Sequence, residues 1–164
     1  MNTIAVSYES DDLMAIAPEP LVVKTVDSVL KELGVDDVEI SCAFVSDESI
    51  RALNLTYRQK DESTDILSFP QIDEDDDGFM FNAEGMDDEG FDGPELLGDM
   101  IISLESMRLN CETFTVDERE ELMRLLIHGT LHLLGEDHKS NDELEPMLQQ
   151  QERLLDIILK EPGN

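Results

Sequence analysis

The chain has 164 residues, 40% of them hydrophobic, and its 40 acidic side chains against 11 basic ones give a net charge of -29. This length and apolar content suit one globular domain with its own core and exclude a disordered chain. The negative charge repels polyanions, so composition alone argues against a nucleic acid as the partner.

The first seventy residues alternate strand and helix patterns. Apolar residues recur at helical spacing between Pro20 and Gly34, and they alternate with polar residues along Val38–Val45, as in a strand. Ser46 suits the N-cap of a helix, and Pro70 ends an apolar run that predicts another strand. The predicted elements are strands at 4–8, 38–45 and 66–69, and helices at 20–32 and 47–55.

Residues 71–95 interrupt this alternation. They contain eleven acidic residues and no basic one, and their Asp and Gly content predicts an acidic loop. Beyond the loop, residues 100–102 predict a short strand, and Ser103 suits the N-cap of a short helix through Met107. No pattern indicates a second domain, so we expect a single domain over residues 1–164.

Two longer helices are predicted after this point. Thr115 and Glu118 form a capping box in front of a helix that extends to Gly135, a residue type that favours a helix C-terminus. Residues 140–143 form a second capping box before a last helix, in which Pro146 fits only the first turn. The mixture of strands and helices predicts an α/β or α+β fold, with a small mixed sheet and surrounding helices.

All three histidines of the chain lie within one segment, HGTLHLLGEDH. His128 and His132 are four residues apart and therefore share one face of the predicted helix. Gly135 then lets the chain turn, so that His138 returns to the same point. Three imidazoles leave the fourth position of a tetrahedral zinc ion open for water, as in catalytic zinc sites. The pattern predicts one Zn²⁺ or another divalent ion, held by His128, His132 and His138, in a hydrolase.

The same histidine spacing occurs in metzincin peptidases. In those enzymes the residue after the first histidine is a glutamate, which acts as the general base. Here that residue is Gly129, which carries no proton, and this difference argues against a zinc metallopeptidase. We expect Gly129 either to leave room near the metal or to let another element pack closely.

HGTLHLLGEDH resembles the signature of the YbeY family of bacterial endoribonucleases. LNLTYRQKDESTDILSFP at 53–70 and LGDMIIS at 97–103 look like the second and third blocks of that family, and MLQQQERLL also fits. The resemblance covers most of the chain from 53 to 155 in the family's order, whereas the first 50 residues match mainly in pattern. The acidic stretch at 71–95 looks like an enlarged loop compared with a compact member.

The resemblance implies a mixed fold related to the zincins, with a metal, usually taken as zinc, bound by His128, His132 and His138. It implies a single-strand-specific, metal-dependent endoribonuclease that acts in ribosomal RNA maturation, notably at the 3′ end of the small-subunit RNA, and in ribosome quality control. The expected partners are ribosomal RNA and ribosomal or ribosome-associated proteins, without DNA or a membrane. An arginine regarded as functionally important in the family maps to Arg58.

The chemistry of Arg58 allows two interpretations. Its fork of donors suits a phosphate or the charge that develops during phosphodiester cleavage, and it equally suits a surface ion pair with Asp61 or Asp65. The resemblance favours the first, so Arg58 is the predicted catalytic residue. Asp65, Asp99 and Asp137 either orient a histidine or serve as caps and turn formers.

Two other functions remain open at this stage: a non-enzymatic, metal-binding ribosome-assembly module and, less favoured, a zinc metallopeptidase. The first residues lack the pattern of an export signal, and no apolar stretch reaches the length of a membrane span. We therefore expect a cytoplasmic protein in which Cys42 and Cys111 are reduced and buried.

Overall fold

The computed structural model describes residues 1–71, 94–136 and 145–161, and four strands within these ranges form one sheet. Strands β1, β2 and β4 are parallel, and β3 runs antiparallel to β4 at the edge of the sheet. This mixed sheet, with the helices described below, confirms the predicted fold class. The strands are β1 (Thr3–Tyr8), β2 (Val38–Val45), β3 (Ile66–Pro70) and β4 (Glu95–Ser103), in the order β1-β2-β4-β3.

Strand β4 is longer than its pattern predicts. The apolar run indicates 100–102, whereas the strand extends over Glu95–Ser103. Its first residues pair with β2 across a bulge opposite Glu39 and Ile40, so backbone hydrogen bonds rather than side-chain alternation extend it. The predicted acidic loop is therefore shorter at its end, and residues 72–93 of that loop lie outside the described residues.

Helices accompany the sheet along the described part of the chain. The sequence does not predict the first of them, a single turn before the long helix that contains Pro20. None of the described helices is long and apolar enough to cross a lipid bilayer. The helices are α1 (Leu13–Ile16), α2 (Glu19–Glu32), α3 (Asp47–Arg58), α4 (Leu104–Phe114), α5 (Glu118–Leu133) and α6 (Pro146–Leu159).

Side-chain caps begin three of these helices, and one of them differs from the prediction. Ser46 and Ser103 cap α3 and α4 as predicted. For α5 the predicted cap Thr115 is wrong, because the carboxylate of Asp117 accepts the hydrogen bond from the Glu120 backbone N–H, at 2.9 Å. Thr115 instead ends α4 in a left-handed conformation, with φ of 55°. The second predicted capping box, at 140–143, lies outside the described residues.

Helix α5 is buried between the sheet and α6, which makes it the structural centre of the molecule. Nine of its sixteen residues are buried, as expected for a helix that is covered on more than one face. Apolar residues of α2, α5 and α6 form a cluster apart from the core on the sheet. Its buried members are Val29, Met123, Ile127, Leu131, Met147, Leu154, Leu155 and Ile158.

The two cysteines, Cys42 and Cys111, are buried free thiols, as predicted. Burial raises the pKa of Cys42 to about 12, which makes its thiolate scarce at neutral pH. Its place on β2 is within the core, so Cys42 contributes packing rather than reactivity.

Candidate metal centre and cleft

The two histidines of α5 come together as their spacing predicts. His128 and His132 are one helical turn apart and half-buried, and their Nε2 atoms are 3.1 Å apart. Two nitrogens bound to one tetrahedral zinc ion at about 2.0–2.1 Å lie about 3.3 Å from each other. The two Nε2 atoms can therefore bind one metal ion together with little rearrangement.

A glutamine of α6 fixes the ring of His128. Gln151 is buried, with 7% of its surface exposed, and its Nε2 donates to Oε2 of Glu152 at 3.1 Å. Its Oε1 is therefore directed at Nδ1 of His128, 2.6 Å away, as an acceptor. Donation from Nδ1 leaves the lone pair of the ring on Nε2, the atom that faces His132.

An ion-pair network holds the next residue, Glu152, in place. Arg124 of α5 contacts Glu152 at 2.8 Å and Glu121 at 2.6 Å. Burial opposes the charge of Arg124, but these hydrogen bonds raise its pKa above the ordinary value. Burial also acts to raise the pKa of Glu152, yet the hydrogen bonds from Arg124 and Gln151 lower it overall. Both groups stay charged at neutral pH, and the network joins α6 to α5 beside the histidines.

Gly129, between the two histidines in sequence, permits the close approach of α5 to the sheet. A Cβ atom at this position would overlap Sδ of Met100 on β4 and lie 2.9 Å from Cδ1 of Ile66 on β3. Of the two expected reasons for this glycine, the structure supports close packing. A side chain at position 129 would meet the sheet, so this position has no room for the glutamate that serves as general base in a metzincin peptidase.

His128 and His132 line a cleft of about 830 Å³. The ends of α3 and α5, together with β3, form its walls. Arg58, the last residue of α3, lines this cleft together with His128 and His132. Asp61, one of its predicted surface partners, is instead paired with Arg51 at 2.8 Å. Within the described ranges no carboxylate forms an ion pair with Arg58.

The aspartates proposed to orient a histidine are placed differently from one another. Asp65 lines the cleft and accepts a hydrogen bond from Nδ2 of Asn110 at 3.2 Å, and burial raises its pKa. Asp99 lies on β4 and is not part of the cleft wall, while Asp137 is outside the described residues. Gln151 of α6, which was not among the proposed partners, accepts from Nδ1 of His128. Gln151 was not singled out from the sequence. The one feature that could have indicated it was its place in the family-like segment MLQQQERLL.

The end of the histidine motif is described only in part. Glu136 lines the cleft, and in the amide orientation that satisfies both side chains, the Gln150 nitrogen donates to both Glu136 oxygens at 2.7 and 2.9 Å. His138, the third predicted ligand, lies outside the described residues. Among the residues that are described, no three His, Cys, Asp or Glu side chains form a metal-binding group. The three-histidine site thus stays a prediction.

Comparison with known proteins identifies the family of the chain. The sequence profile described as "Endoribonuclease YbeY" matches residues 5–158. This chain belongs to the YbeY family. The match confirms the resemblance seen in the histidine motif and the block that contains Arg58. It also extends across the first 50 residues, where the sequence resembled the family mainly in pattern.

Two bacterial relatives share this similarity over nearly the full chain. The protein named Endoribonuclease YbeY from Treponema denticola is 41% identical over 154 residues, which are 94% of this chain and 92% of the relative. The protein of the same name from Persephonella marina is 36% identical over 159 residues, or 96% and 94% of the two chains. The region that is similar to YbeY proteins therefore includes α6, the helix that contains Gln151.

A solved structure has the same fold. The solution structure of TM1509 from Thermotoga maritima covers 99% of this chain and 99% of its own length, with 25% identity and a TM-score of 0.61. The mixed sheet and its helices are thus shared with an experimentally determined protein.

Proposed function

We propose that this YbeY-family chain is a metal-dependent endoribonuclease that cleaves single-stranded ribosomal RNA, notably near the 3′ end of the small-subunit RNA. The observation that carries the proposal is the pair of Nε2 atoms of His128 and His132, 3.1 Å apart in the same cleft as Arg58. Family membership supports the reaction, since relatives that match more than nine tenths of the chain are named endoribonucleases.

The bound ion is proposed to be Zn²⁺, with His138 as the third protein ligand. Three imidazoles suit zinc, and they also bind iron, nickel or copper. When bound, such an ion supplies Lewis acidity and lowers the pKa of water toward neutrality. The protein contributes the fixed ring of His128, held by Gln151, and a cleft that admits the substrate beside the histidines.

Arg58 is proposed to bind the scissile phosphate. Its guanidinium has parallel N–H donors that match two phosphate oxygens, and its charge is permanent. The acidic side chains of Asp65 and Glu136 line the same cleft and repel a phosphate. Positive charge from Arg58 and from a bound metal ion offsets this repulsion.

The large negative charge favours a partner-assisted encounter with RNA. A chain with a net charge of -29 gains little from counterion release, the main source of non-specific affinity for nucleic acids. We propose that basic ribosomal or ribosome-associated proteins supply the missing attraction in the cytoplasm. The packing of Gly129 against Met100 opposes the metallopeptidase alternative.

Metal analysis joined to RNA cleavage tests this function. The purified protein should contain about one equivalent of zinc and cut a single-stranded ribosomal RNA fragment, and chelation should abolish cleavage until metal is restored. His132→Ala should lose both metal and cleavage. Full metal occupancy in that variant would contradict the site. A metal-loaded protein that binds small ribosomal subunits without cutting RNA would instead support the assembly module.

A further inference from the structure

The cleft has an exposed aromatic ring at its wall. Tyr57, next to the last residue of α3, lines the cleft and is 62% exposed. Phe69 of β3 holds it in place, with the ring centroids 5.4 Å apart and the rings inclined by 67°. Such an edge-to-face contact fixes an aromatic ring without covering all of it. Tyr57 therefore presents apolar surface to the cleft in a fixed position.

The residue next to Tyr57 in the chain, Arg58, indicates which kind of ligand the ring would contact. Arg58 follows Tyr57 directly, with Cα atoms about 3.8 Å apart, and both side chains line the same cleft. A nucleotide whose phosphate is bound by Arg58 therefore has its base in the same cleft as the tyrosine ring. Nucleobases stack on exposed aromatic side chains, and this contact is available only to a base that is not already stacked in a duplex.

Because the protein is strongly negative, a stacking contact between Tyr57 and a base would contribute a large share of its affinity for RNA. Arg58 is the basic side chain in the wall of the cleft, among the residues that the structure describes, and two carboxylates line it as well. Phosphate contacts alone would therefore give weak binding. Stacking of one base contributes about 1–3 kcal/mol, it tolerates any base, and it does not depend on charge.

We propose that Tyr57, supported by Phe69, forms a binding subsite for an unpaired RNA base adjacent to the phosphate at Arg58. The inference rests on the proposed function, because the substrate is the same RNA. It adds a physical reason for a single-stranded substrate: a base in a duplex cannot reach the ring.

Tyrosine fluorescence allows a direct test. The chain has two tyrosines and no tryptophan, so Tyr57 is the only fluorophore of this kind in a Tyr8→Phe protein. The metal-loaded protein is mixed by stopped flow with a single-stranded RNA decamer, and quenching is read before turnover. Matched ligands are an abasic decamer with the same number of phosphates and the corresponding RNA duplex. Phe114→Ala is the control variant, since Phe114 is 71% exposed and does not line the cleft.

We expect the RNA decamer to quench Tyr57 and to bind about 5- to 150-fold more tightly than the abasic decamer. Tyr57→Ala, measured by filter binding, should abolish this preference, whereas Tyr57→Phe and Phe114→Ala should keep it. Equal affinity for the two decamers, or an unchanged preference in Tyr57→Ala, would overturn the subsite. Because binding is read without cleavage, a protein that shows the preference but leaves RNA intact would contradict only the proposed function. A protein that cuts RNA without the preference would contradict only the subsite.

Discussion

Gln151 determines which nitrogen of His128 is available to a metal ion. Its amide is itself oriented by Glu152, which Arg124 holds in turn. A side chain without an acceptor at this position leaves the imidazole free to rotate or to carry its proton on Nε2. The loss of such an outer partner typically costs 10–100-fold in metal affinity.

We therefore expect Gln151→Leu to bind zinc about 10- to 100-fold more weakly than the unchanged protein, as measured by competition with a chromogenic chelator. Gln149→Leu is the matched control, because Gln149 lies two residues earlier on α6 and is exposed. Equal zinc affinity of Gln151→Leu and Gln149→Leu would show that the contact with His128 does not tune the site.

Two substitutions of Arg58 test separately whether its positive charge and its planar guanidinium are needed for RNA cleavage. Arg58→Glu should abolish RNA cleavage while metal content and the thermal unfolding midpoint persist, because the side chain is exposed at the end of α3. Arg58→Lys should be impaired as well, since a single ammonium loses the two-point contact.

Arg51→Glu is the matched control for this position. Arg51 is exposed on the same helix, is paired with Asp61 and does not line the cleft. Steady-state cleavage of a labelled RNA compares the three variants. Normal cleavage by Arg58→Glu would assign Arg58 to the solvated surface.

At the scale of secondary-structure elements, the position of α5 between the sheet and α6 builds the site. Its sheet side needs a residue without a side chain at Gly129, while α6 on another side supplies Gln151. Apolar contacts hold both neighbours, since Leu126 packs in the core on the sheet and Ile127 in the cluster with α6. The geometry of the histidines therefore depends on packing on both sides of the helix.

Gly129→Ala should lower the free energy of unfolding by about 1–3 kcal/mol, because the added methyl group overlaps Met100 and forces the helix away from the sheet. Alanine is by itself the better helix former, so any loss measures the packing conflict. Urea unfolding monitored by circular dichroism gives the value. Introducing the change into a Met100→Ala protein should reduce the penalty, and an equal penalty in both proteins would contradict the overlap with Met100.

At the scale of the whole molecule, charge is the dominant property. Ten of the 40 acidic residues lie between positions 72 and 93, in one segment of the chain. Long-range repulsion of RNA by this charge is screened by salt, with a Debye length of about 10 Å at 0.1 M. The effect of the segment on RNA should therefore be strongest in dilute buffer.

Replacing residues 72–93 with a Gly/Ser linker should leave the metal content unchanged, because no proposed ligand lies there. It should strengthen RNA binding and speed cleavage, with the largest gain at low salt. A linker of the same length that carries ten glutamates is the control for charge. Unchanged RNA affinity across a salt series would indicate a solvated segment without influence on the cleft. Loss of cleavage with metal retained would indicate that the segment recognises a basic partner.

The features predictable from sequence are those that local backbone geometry creates. The four-residue spacing of His128 and His132 needs only the helical repeat to bring their rings together, and alternation along Val38–Val45 matches β2 residue for residue. In the caps at Ser46 and Ser103, the serine hydroxyl oxygen accepts a hydrogen bond from the backbone N–H three residues later. Each of these interactions spans one helical turn or a few strand residues, so the neighbouring sequence contains all the information.

Tertiary packing decided the rest, because those contacts join residues that are far apart in the chain. Gln151 reaches His128 across 23 positions only because α6 packs on α5. The contact of Tyr57 with Phe69, and the reason for Gly129, likewise follow from how helices approach the sheet. The sequence by itself predicted the fold class, the family and three candidate metal ligands, of which His128 and His132 lie side by side in the folded protein. How these two side chains are oriented, and what surrounds them in the cleft, depends on side-chain volumes that meet only in the folded protein.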